Sequence, residues 1–280
     1  MENTKRDAKI EEFITHFGNR NTEQAESIVT ELKFSFPGEP LFYTFSLKAL
    51  FQELEIVEEK IASLKQGAPD RDRLENRKKY LVDFFERESV AGLNLLGFLN
   101  SPKDKYLAGR IYTMRSAFIK KFKDEYLRPD EDAATGIGLI KSAIQEDPKL
   151  CSAKYTLAVA KYMMATRTSG LGFKRLIISH FSKTFSQLGG NFDVNDAWNW
   201  AKEANSCEPV YYYIKDAKWD SGFLLKQMLW ENHEPQKNGH RERDEQIIGI
   251  LDELCQRFPE NKRIQNERLL ILRHLEAGVN

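Results

Sequence analysis

Four prolines constrain this chain more than anything else in it. Pro37, Pro148, Pro209 and Pro259 each close a run of residues with helical periodicity. Proline lacks an amide hydrogen and clashes with the preceding turn, so it ends one helix and starts the next well. Five residues before these prolines stand Leu32, Ala143, Ala204 and Leu254, and twelve before them Ala25, Gly136, Ala197 and Ile247. In the two central copies a helix carries a small residue at both places and then reaches an acid–proline turn, AIQEDP at 143–148 and ANSCEP at 204–209. Slender side chains at fixed intervals let antiparallel helices approach closely. A helix–turn–helix unit repeated on this plan points to a stacked helical solenoid.

The rest of the chain agrees. Apolar residues recur at helical spacing almost throughout, while strand-like alternation is nearly absent. Over 133–146, Ala133, Ile137, Ile140, Ala143 and Ile144 form one stripe, with Lys141, Gln145 and Glu146 off it. Asn21-Thr22 with Glu23 and Glu26, and Asp130-Glu131-Asp132, read as helix starts, since acids there oppose the positive end of the helix dipole. The pattern predicts helices near 6–17, 22–35, 41–65, 71–98, 103–127, 131–146, 150–165, 173–188, 194–206, 210–230, 244–257 and 262–276, and no strand.

The second helix and closing proline of each unit resemble the tetratricopeptide repeat. After Pro148 a Leu157-Ala158 pair stands where that family has a large–small pair. The counterpart is blurred near Ala217 and Trp219 and lost among Leu269, Leu270 and Ile271. The prolines lie 111, 61 and 50 residues apart rather than about 34, so insertions separate degenerate units. The order of segments over about 100–276 is similar to bacterial repeat proteins of unassigned role: KYLAGRIYTMRSAF at 105–118, the repeat ending at 148, an amphipathic insertion, then a last repeat with a Phe-Pro turn. The resemblance implies an all-α fold, with antiparallel helix pairs stacked as a right-handed solenoid around an inserted amphipathic helix. The expected organisation is one helical-repeat domain over 1–280, with a degenerate repeat in 1–100, the main repeats in 101–280 and the insertion at 166–193. The resemblance brings no catalytic motif and no cofactor.

Composition narrows the function classes. The 280 residues carry 42 Lys+Arg and 42 Asp+Glu, and the balance holds in each half, with 22 basic and 24 acidic residues before position 141. That argues against a general nucleic-acid binder. The densest apolar stretch, Val90 to Leu99, is interrupted by Gly92, Asn94 and Gly97 and is too short to span a bilayer. The opening residues contain no apolar run suited to an export signal, so a cytoplasmic location is expected. Cys151, Cys207 and Cys255 are odd in number, far apart and without a CxxC pair, which predicts buried reduced thiols rather than a disulfide framework or a zinc site.

Few constellations carry chemistry. Gly136-Ile137-Gly138 and Ser169-Gly170-Leu171-Gly172 lack the strand and lysine of a phosphate loop and read as hinge or packing glycines. His233 and His240 share a polar stretch with Glu231 and Glu234, but nothing there has close metal-ligand spacing, so a solvated loop is expected and no metal. Arg115 falls on the apolar arc of Ile111, Tyr112, Phe118, Ile119, Phe122 and Tyr126, with Lys103, Lys105, Arg110, Lys120, Lys121 and Lys123 opposite. A guanidinium placed there needs a carboxylate, an aromatic ring or an anionic ligand. Lys154 and Lys161 share one stripe of a helix that is apolar nearly all round. They either snorkel to solvent or grip a partner's carboxylates.

The segment 173–188 pairs an apolar arc containing His180 with Lys174, Arg175 and Lys183, and glycines flank it. It reads as an inserted capping helix, or as a contact for an anionic membrane surface. The expected function is a non-catalytic scaffold or adaptor that binds a peptide or helix on a concave surface, with Lys154, Lys161 and Arg115 as candidate partner contacts. The alternatives are a helical-pocket enzyme or small-ligand binder using Arg115 and His180, and peripheral membrane attachment through 173–188.

Overall fold

Helical periodicity becomes helix wherever the chain is described. The computed structural model describes residues 2–65, 68–123, 127–168, 182–188, 194–207, 216–231 and 240–277, and no strand occurs among them. The helices are α1 (Glu2–Gly18), α2 (Thr22–Ser35), α3 (Pro40–Ser63), α4 (Pro69–Leu96), α5 (Pro102–Phe122) and α6 (Leu127–Glu146). They continue as α7 (Cys151–Thr168), α8 (Lys183–Leu188), α9 (Val194–Asn205), α10 (Asp216–Trp230), α11 (His240–Arg257) and α12 (Lys262–Ala277). Of the helix expected at 173–188 only α8 lies among the described residues; His180, Lys174 and Arg175 lie outside them. No described helix is long and apolar enough to cross a membrane.

Three of the four proline corners share one local architecture. The helix ends two residues before Pro37, Pro148 and Pro259, and the next begins three residues after. The residue before each proline donates its amide back to the carbonyl four residues earlier: Phe36 to Leu32 (2.8 Å), Asp147 to Ala143 (2.9 Å) and Phe258 to Leu254 (2.8 Å). The residue two after each proline then donates to the carbonyl of the residue before it: Glu39 to Phe36 (3.1 Å), Leu150 to Asp147 (3.0 Å) and Asn261 to Phe258 (3.1 Å). These bonds satisfy helix-end groups that would otherwise have no partner. Pro209 lies outside the described residues. All eight positions five and twelve residues before the prolines are buried. Gly136 shows why one of them is so small. A Cβ there would stand 2.7 Å from the Gly109 carbonyl and 3.0 Å from the Thr113 amide, both backbone atoms of α5.

The chain divides into two compact units, Met1–Gly136 and Ile137–Asn280, with the boundary inside α6. The first unit packs α1 on α2, α2 on α3, α3 on α4 and α4 on α5. Its core is aromatic: Phe13 stacks on Phe45 at 4.5 Å between centroids and Phe85 on Phe118 at 3.7 Å, all four rings fully buried. A capping box starts α5. The Ser101 hydroxyl accepts from the Asp104 amide (3.1 Å) while the Asp104 carboxylate accepts from the Ser101 amide (3.2 Å), with Pro102 at the first helical position.

The single-sided wheel drawn for α5 fails at Arg110, expected on the solvent arc. Arg110 is 4 % exposed and donates to the Tyr106 hydroxyl at 3.0 Å. Six consecutive residues, Tyr106 to Ile111, are buried, so this stretch of α5 is enclosed on every side and has no solvent face.

In the second unit α7 packs against α9 and α10, α9 against α10, α10 against α11, and α11 against α12. Three alanines of α9 spaced four and three apart, Ala197, Ala201 and Ala204, are fully buried, as are Ala153 and Ala158 of α7. Asn261 caps α12, its side-chain oxygen accepting from the amides of Arg263 (3.1 Å) and Ile264 (3.3 Å).

Candidate functional site

The three candidate partner contacts, Arg115, Lys154 and Lys161, are each engaged by a carboxylate of their own chain. In the first unit Arg115 donates its Nε to Asp132 Oδ2 at 2.7 Å and a second N–H to Oδ1, and lies over the Tyr112 ring at 5.0 Å. The two side chains are 12 and 9 % exposed, and the bond to Asp132 raises the Arg115 pKa, which is already high. Both structural partners foreseen for a guanidinium on an apolar arc are therefore present. His180, its proposed companion, lies outside the described residues.

In the second unit Lys154 pairs with Glu203 and Lys161 with Asp196. These rungs advance seven residues on α7 and retreat seven on α9, so the helices run antiparallel. The two lysines are only 11 and 14 % exposed, while Glu203 and Asp196 are about half exposed.

The seam has a third rung, and it corrects the cysteine reading. Cys151 and Cys207 are joined as a disulfide with Cα atoms 6.4 Å apart; only Cys255 remains a thiol, and burial pushes its pKa up. Sequence spacing hid the pair, because the partners lie 56 residues apart and meet only through the antiparallel register. Cys151 opens α7 and Cys207 follows α9, so the pairing that sets Lys154 beside Glu203 one turn further in brings the sulfurs together at the end.

Beside this seam lies an open cleft. Its volume is about 560 Å³, and it runs between α9 and α11 over α10. Its floor is Gly222, Leu225 and Leu229, at helical spacing along α10; one wall carries Trp198 and Lys202, the other Gly249, Ile250 and Glu253. Two glycines make the space. A Cβ at Gly249 would meet nothing within 4 Å, and one at Gly222 would meet Leu254 and the Asn205 side chain only at 3.8 and 3.9 Å. The Lys202 ammonium sits 4.7 Å from the Trp198 ring centroid, which pins the aromatic wall. Asn205 and Ser206, next to the disulfide, form the end of the cleft, and Asn205 accepts from the Ser221 hydroxyl at 3.3 Å.

Sequence reasoning placed no residue in this cleft. Its polar groups are ordinary surface residues, and its shape arises from two isolated glycines on different helices. It also missed the Lys33–Glu88 ion pair of the first unit, which joins α2 to α4 with Lys33 4.4 Å above the Tyr43 ring. Burial, aided by the Glu88 charge, pushes the Tyr43 phenol up. Among the described residues no three histidine, cysteine or carboxylate side chains converge as a metal site. No protein-family model matches the sequence, and no curated protein or solved structure matches it either.

Proposed function

We propose that this chain is a non-catalytic interaction module of tetratricopeptide-like helical repeats, and that the cleft over α10 receives an amphipathic helix of a partner protein. The cleft itself carries the reading. Two helices flank a third at a lower level, which leaves a trough for one further helix. The floor leucines Leu225 and Leu229 are themselves buried, so the apolar anchors of an entering helix, spaced three and four residues apart, would meet the trough at half-buried Ile250 and over the open Gly249 position. Lys202 on one wall and Glu253 on the other favour an occupant with an acid toward α9 and a base toward α11. The three matching corners support the repeat reading, since each makes the same two backbone bonds around its proline.

Lys154 and Lys161 act in this scheme by holding α9 in place as one wall, and Arg115 by bracing α5 against α6. A photo-crosslinking amino acid at position 249, compared with one at exposed Arg273 on α12, tests the assignment. Cross-linking in cells should yield a discrete partner band at 249 and none at 273, abolished by Leu225→Arg in a variant whose helical circular dichroism is unchanged. Equal labelling at both positions, or a band that survives a filled cleft, overturns it.

A further inference from the structure

We infer that the Cys151–Cys207 disulfide is a reversible thiol–disulfide latch that fixes the end of the α9 wall. As regulation of the cleft this rests on the reading above; as redox chemistry it stands on the seam alone. The two sulfurs are unequally placed. Cys151 is 1 % exposed, with Tyr155 packed against it, whereas Cys207 is half-buried, so an attacking thiolate reaches Sγ of Cys207. The sulfur that must then leave belongs to Cys151, the first residue of the eighteen-residue helix α7. Burial opposes negative charge on that sulfur while the positive end of the helix favours it, and Lys154, already paired with Glu203, stands one turn further on.

The reductant is a dithiol. Its thiolate bonds to Sγ of Cys207, the Sγ–Sγ bond breaks, and the electron pair leaves on Cys151, which takes a proton from water. The second thiol of the reductant then attacks its own sulfur in the mixed disulfide and releases Cys207. Two electrons pass to the protein, and the dithiol becomes a disulfide.

The reduced seam stays assembled. Lys154–Glu203 and Lys161–Asp196 lie on the same face and hold the helices in register, and the buried alanines remain packed. The thiols therefore stay within reach of each other, and re-oxidation needs no refolding. What reduction frees is the last turn of α9, where Asn205 and Ser206 close the cleft.

The test uses the full chain with dithiothreitol as the dithiol. Native protein is equilibrated in graded mixtures of its reduced and oxidised forms, quenched with maleimide and mapped by mass spectrometry. In parallel, hydrogen exchange is followed along α9. Cys151 and Cys207 should label together in one reversible two-electron transition at pH near 7, with Cys255 unchanged. Exchange over 202–206 should speed up by about tenfold or more on reduction while α3 is unaffected. A Cys207→Ser chain should exchange at the fast rate in both conditions. A bond that resists dithiothreitol until the protein unfolds, or α9 exchange indifferent to the bond, overturns the latch. No partner enters these measurements, so failure to find one in the cleft leaves their outcome untouched, and their failure leaves the cleft reading standing.

Discussion

Arg115 and Asp132 show what a charged residue requires in an interior made of helices. The guanidinium fork meets both carboxylate oxygens, a ring covers one face, and little water reaches either partner. Removing one partner strands the other charge in a desolvated position. Asp132→Ala should therefore lower unfolding free energy by about 3–5 kcal/mol, and Arg115→Met combined with Asp132→Leu should restore most of the loss, because a buried pair contributes little beyond what well-packed apolar side chains give. Urea unfolding of the two variants against the unsubstituted chain measures it; equal losses in the single and double variants would contradict it. The need for a partner was legible at Arg115, since its position on an apolar arc follows from helical spacing. The identity of the partner was not. Asp132 sits seventeen residues away on the next helix, and only the crossing of α5 with α6 selects it among the acids there. Arg110 was illegible for the opposite reason: a wheel assigns a solvent side to every helix, and this stretch has none.

At the scale of elements, small residues do two different jobs that sequence alone does not separate. Gly136 lies where α6 meets the backbone of α5, and that backbone cannot yield to an added methyl. Gly249 lies on α11 with open space around it. Gly136→Ala should lose about 1–2 kcal/mol, overpacking outweighing the gain in helix propensity. Gly249→Ala should gain about 0.5–1 kcal/mol, the ordinary return for removing a glycine from a helix. Thermal melts of the two variants give the signs, and a stabilised Gly136→Ala would remove the close crossing from the account. The proline corners were readable because a missing amide is a property of one residue. The disulfide was not, since its register is set by side chains across two helices.

For the whole molecule, the structure contains two cores of different character, aromatic in the first unit and rich in alanine along the α7–α9 seam of the second. Helical periodicity runs unbroken across the boundary in α6, so no change of composition marks it. Calorimetry should resolve two unfolding steps. Reducing the disulfide, which closes a 56-residue span, should lower the step belonging to the second unit by about 2–4 kcal/mol. Phe85→Leu should lower only the other, through loss of ring stacking with Phe118. One transition that moves as a whole under both changes would show that the units unfold together.

The proline corners have a consequence for how such a chain diverges. Main-chain amides and carbonyls make the same two bonds at each bend, while the side-chain bonds differ: Phe-Pro-Gly-Glu at 36–39 shares them with Asp-Pro-Lys-Leu at 147–150, where Asp147 also accepts from the Lys149 amide, and with Phe-Pro-Glu-Asn at 258–261, where Asn261 caps the next helix. Because the shared bonds involve only main-chain atoms, most letters beside the proline can change while the two bonds that close the bend remain available.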